Sequence, residues 1–171
     1  MHYKIITPGE CSLMEYLYDI MEKSNEYFTK FIIENKLLPV ESFENRLDYL
    51  KSTLKLDTKI ILFIKNRFPY CFYVIDMEKT LNYNGNSYVK LTFYSEKKIK
   101  NSELEETLEA AKTYSKSNNI NVAIFNLLLP SYEIFDNNIN TEEFNELNSS
   151  NQIYIILSKT FPWKQLIFIK N

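Results

Sequence analysis

Apolar and polar positions change period several times along the chain. Residues 3–7, Tyr-Lys-Ile-Ile-Thr, predict a short strand that Pro8-Gly9 closes. Leu13, Leu17, Ile20, Met21, Phe28, Phe31 and Ile32 then recur at three- and four-residue steps, which predicts an amphipathic helix capped by Ser12 with Glu15 three residues on. Pro39 ends that region, and from about residue 41 Phe43, Leu47, Leu50 and Leu54 share one face of a second helix.

The period then shortens. Residues 59–65 (KIILFIK) form a continuous apolar run between two charges, the pattern of a strand buried on both faces, and residues 70–75 (YCFYVI) repeat it after a turn at Arg67-Phe-Pro69. Residues 87–95 (SYVKLTFYS) predict a further strand, reached through a hairpin at Asn84-Gly85 with a loop longer than two residues. Helical spacing returns in Leu104, Leu108, Ala111 and Tyr114 after a capping Ser102, until Asn118-Asn119 stops it. Glu103, Glu105, Glu106 and Glu109 load the start of that helix and Lys112 and Lys116 follow, as the helix dipole favours; they read as a solvated acidic face. Residues 121–129 predict another buried strand, so 87–129 form a strand-helix-strand crossover with parallel strands. Pro130 opens a polar stretch with one short helix near 142–147, and strands at 152–158 and 165–169 follow.

Composition narrows the chemistry. The 171 residues suit one domain, and 12 Phe with 13 Tyr supply ample area for a core. Only 2 glycines are present, where about a dozen would be ordinary; glycine-rich phosphate loops and dinucleotide fingerprints are therefore missing. A net charge of −2 without a long block of one sign argues against nucleic-acid binding as the main role. The Lys-interleaved aromatics at 88–94 fit one buried and one amphipathic strand face more simply than a base-stacking platform. The start of the chain lacks a signal-peptide pattern and no apolar run approaches a membrane span, so the expectation is a soluble cytoplasmic protein that does not bind membranes. Cys11 and Cys71 lie far apart and read as buried thiols, and a single histidine, His2, leaves no set of ligands for a metal and no nucleophile–histidine pair.

The elements run strand, two helices, three strands, helix, strand, short helix, two strands, and this order resembles the GNAT family of N-acetyltransferases over nearly the whole chain. The resemblance implies a single α+β (α/β) domain over residues 1–171, with a mixed central sheet of about six to seven strands. It also implies transfer of an acetyl group from acetyl-CoA to a small-molecule or peptide amine. In that family the strand, loop and helix start corresponding to Leu91–Leu104 (LTFYSEKKIKNSEL) hold the cofactor, which makes Phe93, Tyr94, Lys98, Ile99, Lys100, Asn101 and Ser102 the candidate cofactor-binding residues. Helix N-terminal N–H groups and the lysines Lys97, Lys98 and Lys100 would face the phosphates. Ile99 falls where the family carries Arg or Gln, and the family's glycines have no counterpart here.

For the chemistry, the resemblance implies a tyrosine after the fifth strand that protonates the departing thiolate, and Tyr132 is the candidate. No Asp or Glu lies between Ser87 and Ser95, while Asp76 and Glu78 end the preceding strand. The alternative is a degenerate module of the same fold that has lost the cofactor and acts by protein association, for which the missing glycines and abundant aromatics speak. A homodimer paired through the last strands is a further expectation. The two readings separate on whether strands 87–95 and 121–129 part to leave a slot.

Overall fold

The first strand, β1 (His2–Ile6), lies at one edge of the sheet, and a short 3-10 turn at Pro8–Glu10 follows it. The computed structural model of the protein describes residues 1–34, 46–96, 99–126, 144–149, 153–158 and 165–171. The first helix, α1 (Met14–Glu34), starts one residue later than a Ser12 cap requires, because Leu13 supplies the opening carbonyl to the N–H groups of Tyr16 and Leu17. The second helix, α2, is described over Arg46–Ser52; the expected start near residue 41, with Phe43, lies outside the described residues.

The two apolar runs pair as an antiparallel hairpin, β2 (Lys59–Lys65) with β3 (Phe68–Tyr83). The turn between them is Asn66-Arg67, both at positive φ (52° and 72°), rather than Arg67-Phe-Pro69. Pro69 instead lies inside β3 at a register shift opposite Ile64, the kind of irregular position that tolerates a missing N–H. A second hairpin joins β3 to β4 (Asn86–Ser95) through Asn84-Gly85 (φ 48° and 78°). Its loop is two residues long, shorter than expected, because β3 continues past Ile75 as far as Tyr83. β3 leaves the ladder once on the way: Asp76 faces Lys90 and Thr80 faces Val89, so Met77, Glu78 and Lys79 bulge out.

The third helix, α3 (Asn101–Asn118), crosses from β4 to β5 (Val122–Asn126), and those two strands pair in parallel as the crossover predicts. The remaining strands are β6 (Phe144–Ser149), β7 (Ile153–Ser158) and β8 (Gln165–Ile169). All eight form one mixed sheet in the order β1-β2-β3-β4-β5-β8-β7-β6. The eighth strand corrects the short helix expected at 142–147: β7 already pairs with β8 on one side, and its other edge templates residues 144–149 as strand. A six-residue segment has too little helical propensity to resist that pairing. β8 sits between β5 and β7, so the last strand has both edges occupied and β6 forms the outer edge.

Alternation along β2 and β3 sorts the core onto two faces. Leu17, Ile20 and Met21 of α1 with Leu50 of α2 cover Ile60, Leu62, Phe72, Val74 and Tyr94. Ala110, Ala111 and Tyr114 of α3 cover Ile61, Tyr73, Leu91, Phe93 and Ile124 on the other face. The two thiols are free, Cys71 buried and Cys11 half-buried.

The two hairpin turns generate opposite expectations. Arg67 holds a left-handed conformation that glycine adopts at no steric cost, so Arg67→Gly should stabilise by about 0.5–1 kcal/mol, whereas Gly85→Ala should cost about 1 kcal/mol. A Cβ at Gly85 would meet no atom within 4 Å, so that loss is conformational alone. Thermal melts should move by about 2–4 °C, up and down respectively; equal Tm values for both variants and the parent protein would contradict this account.

Candidate functional site

The parallel junction leads toward the start of α3. Among the described residues the β4–β5 ladder covers Val89, Lys90, Leu91 and Thr92, opposite Val122 to Phe125. β4 goes on, with Phe93, Tyr94 and Ser95 paired to Tyr73, Phe72 and Cys71 of β3 alone among the described residues. Beyond its end the chain passes Glu96 and Ile99 and enters α3.

The candidate cofactor residues divide there. Phe93 is 3% exposed, with its ring 5.2 Å from that of Tyr73 on the α3 face, and Tyr94 is 2% exposed, stacked on Phe72 at 5.1 Å on the opposite face. Both side chains are core residues and are not available to a ligand. Ile99 packs on the α3-side core and lines a small cleft of about 80 Å3 with Pro69, Tyr70, Ser95 and Glu96. Lys100 occupies the helix cap in extended conformation (φ −69°, ψ 154°), and Asn101 and Ser102 are exposed residues of the first turn. Ser102 is therefore not the cap. Lys97, Lys98 and Tyr132 lie outside the described residues.

The helix start is organised by Glu103, which sequence reasoning had assigned to a solvated face. Its side chain is 8% exposed; one carboxylate oxygen pairs with the Lys65 ammonium of β2, and the other accepts the Tyr70 hydroxyl at 2.8 Å and the Lys100 N–H at 3.2 Å. The Lys65 ammonium, with help from Tyr70 and Lys100, holds the Glu103 carboxyl down to about 2 against the opposing pull of burial. Burial and the bond to Glu103 push the Tyr70 hydroxyl up to about 12, and the Lys65 ammonium also lies 4.7 Å from the centre of the Tyr70 ring. The spacing Lys100-x-x-Glu103 is that of a capping box with a non-standard cap, the one signal by which this role was findable. Nearby, the N-terminal ammonium donates to Glu106 at 2.9 Å.

No protein-family model matches the chain, and no curated protein matches it in sequence. Among solved structures, it is similar to a PaiA N-acetyltransferase from Thermoplasma acidophilum, crystallised in complex with coenzyme A, at 13% identity over 100% of both chains with a TM-score of 0.43. It is also similar to an N-acetyltransferase from Staphylococcus aureus Mu50, at 9% identity over 99% of this chain and 97% of that one, with a TM-score of 0.42. At this level of likeness the residues of this chain carry the functional reading.

A second concavity lies along the other face of β4. Lys90, Thr92 and Tyr94, alternate residues of that strand, line a cavity of about 390 Å3 bounded by Leu50 of α2, by Thr53 just after that helix and by the β3 bulge. Lys90 is 7% exposed; burial pushes its ammonium down to about 7, with Lys79 adding to the shift and Asp76 opposing it. Sequence alternation had marked Lys90 only as a member of an amphipathic strand face. Among the described residues no group of His, Cys, Asp and Glu is arranged to hold a metal ion, and no helix is long and apolar enough to cross a membrane.

The Glu103 cluster should be visible in acid. A carboxyl held near 2 instead of the ordinary 4.3 or so stabilises the fold above the ordinary value, and that contribution disappears as pH falls from about 5 to 2. Glu103→Gln should cost about 2 kcal/mol at pH 7, roughly 4–8 °C in Tm, and the gap between variant and parent should close over the same acid window. A gap that stays constant from pH 7 to pH 2 would show that the carboxylate charge does not stabilise α3.

Proposed function

We propose that the protein is a GNAT-like acyltransferase that transfers an acetyl group from acetyl-CoA to an amine, carried by a small molecule or a peptide. The observation that carries this reading is the parallel β4–β5 junction, from which β4 continues past Thr92 toward the start of α3. An extended pantetheine arm would run alongside this end of β4 toward the helix start. The amides of Asn101 and Ser102 with the Lys100 side chain would face the phosphates, since the first N–H groups of a helix have no intrahelical partner. The chemistry supplied by the bound cofactor is an activated thioester.

The fit is partial. Glu103 already takes the Lys100 N–H and sets a carboxylate beside the place a pyrophosphate would occupy, with no glycine to bring the backbone closer. That observation favours the second reading, a module of this fold that no longer binds the cofactor and works by protein association.

Calorimetry separates them. Acetyl-CoA and CoA titrated at up to millimolar concentration should release measurable heat, and Lys100→Glu should weaken binding about tenfold by reversing a charge near the phosphates. An absence of heat and of any thermal shift for the parent protein would remove the cofactor reading and leave the association module.

A further inference from the structure

A lysine in the middle of a buried strand is costly, because its ammonium loses water that no apolar neighbour replaces. Lys90 accepts that position at one particular place in the sheet. Its cross-strand partner is Asp76, on the same face, and immediately beyond Asp76 the β3 bulge removes Met77, Glu78 and Lys79 from the ladder. In an unbroken ladder the next residues of β3 would continue alongside β4; here they stand away as a rim, and Lys90 lines the cavity of about 390 Å3 thus opened. Met77, Glu78 and Lys59 at its mouth are exposed, so small solutes reach the interior from solvent.

We propose that the Lys90 end of this cavity is an acyl-accepting site, where the Lys90 amine attacks a small activated acyl donor, an acyl phosphate or an acyl thioester, and retains the acyl group as an amide. The Nζ–C bond forms as the C–O bond to phosphate or the C–S bond to thiolate breaks. The leaving group departs as phosphate or thiolate, and the proton released by the amine passes to the Asp76 carboxylate across the strand and from there, through water, to the leaving group. Coenzyme A binding at the β4–β5 junction is not required, since any small acyl donor that enters the cavity suffices.

Three observations support the assignment beyond the cavity itself. Asp76 faces Lys90 in register, which brings their Cβ atoms to about 5 Å. The charged groups lining the same cavity are Asp76, Glu78 and Lys79 of β3, Lys59 of β2, and Lys55 and Asp57 between α2 and β2; Lys55 is drawn to Glu78 at 3.5 Å. Burial holds the Lys90 ammonium down to about 7, with Lys79 adding to the shift and Asp76 opposing it, so its amine is available for attack at a lower pH than that of an ordinary lysine.

The test uses the intact protein. Acetyl phosphate in one arm and acetyl-CoA in the other are incubated with it at pH 7.5, and initial acetylation at each lysine is read by peptide mass spectrometry with exposed Lys116 as reference. Lys90 should be acetylated about tenfold faster than Lys116 in at least one arm, and the ratio should fall toward one as pH approaches 10.5, where ordinary lysines also lose their protons. Lys90→Arg, checked for folding by its melting curve, should abolish the fast site; the parent ratio decides the matter even where that variant fails to fold. A fast site with acetyl phosphate alone assigns acyl phosphates as donors, with acetyl-CoA alone thioesters, and either outcome supports the site. Lys90 lagging behind Lys116 in both arms overturns it. A fast Lys90 in a protein that gives no heat with CoA would separate this site from the cofactor reading.

Discussion

Among the described residues β4 pairs with β3 along its length and, in parallel, with β5 over four residues, and the candidate chemistry of this protein depends on that parallel junction. Parallel pairing at this one junction requires a crossover, which α3 supplies, and an 18-residue helix of about 27 Å is long enough to return the chain to the start of β5. β4 runs on past the described pairs of that ladder, so the helix begins beside the end of β4. An antiparallel neighbour joined by a tight turn would have left no helix terminus there. The position of that terminus is thus a consequence of topology.

Glu103 organises that helix terminus. It ties α3 to the β2–β3 hairpin through Lys65 and Tyr70 and takes the N–H of its own cap residue, so one carboxylate fixes the angle at which the helix meets the sheet. The same charge sits at the positive end of the helix dipole, where a phosphate would also be drawn. Withdrawing Lys65 to meet a phosphate would leave a nearly buried carboxylate without its counter-ion, a state costing more than the phosphate contact returns. Any anion accepted at this helix must therefore leave the Glu103–Lys65 pair intact and rely on Lys100 and the amides of Asn101 and Ser102.

Much of the fold was legible because burial writes itself into spacing. The runs 59–65 and 70–75, the Leu17, Ile20 and Met21 stripe and the Asn84-Gly85 turn all stand where periodicity and turn chemistry place them. The failures share a physical cause, which is that a neighbour decided the outcome. β6 is a strand because the edge of β7 is next to it, and β3 continues through 76–83 because β4 offers it a partner. The site was less legible for the same reason. Phe93 and Tyr94 were singled out by their place on the strand, yet their rings are buried on opposite faces; Glu103 and Lys90 look like ordinary surface charges in sequence, and only Lys65, Tyr70 and the β3 bulge give them their character.

The scarcity of glycine also takes a more particular meaning in three dimensions. Asn66, Arg67, Asn84 and Asn119 hold left-handed conformations that glycine would fill at less cost, and Gly85 alone among the glycines has positive φ. The chain therefore accepts backbone strain at ordinary turns instead of using glycine, which weakens the inference from a glycine-poor loop to a lost activity: absence of glycine is the habit of the whole sequence. The β3 bulge is different. A bulge of three residues interrupts a ladder, and a buried lysine gives up hydration, and both costs fall on the same cross-strand pair, Asp76 and Lys90. An apolar residue at 90 opposite an unbroken β3 would complete the sheet without the cavity, so the lysine and the bulge together are what make this face of β4 concave and polar.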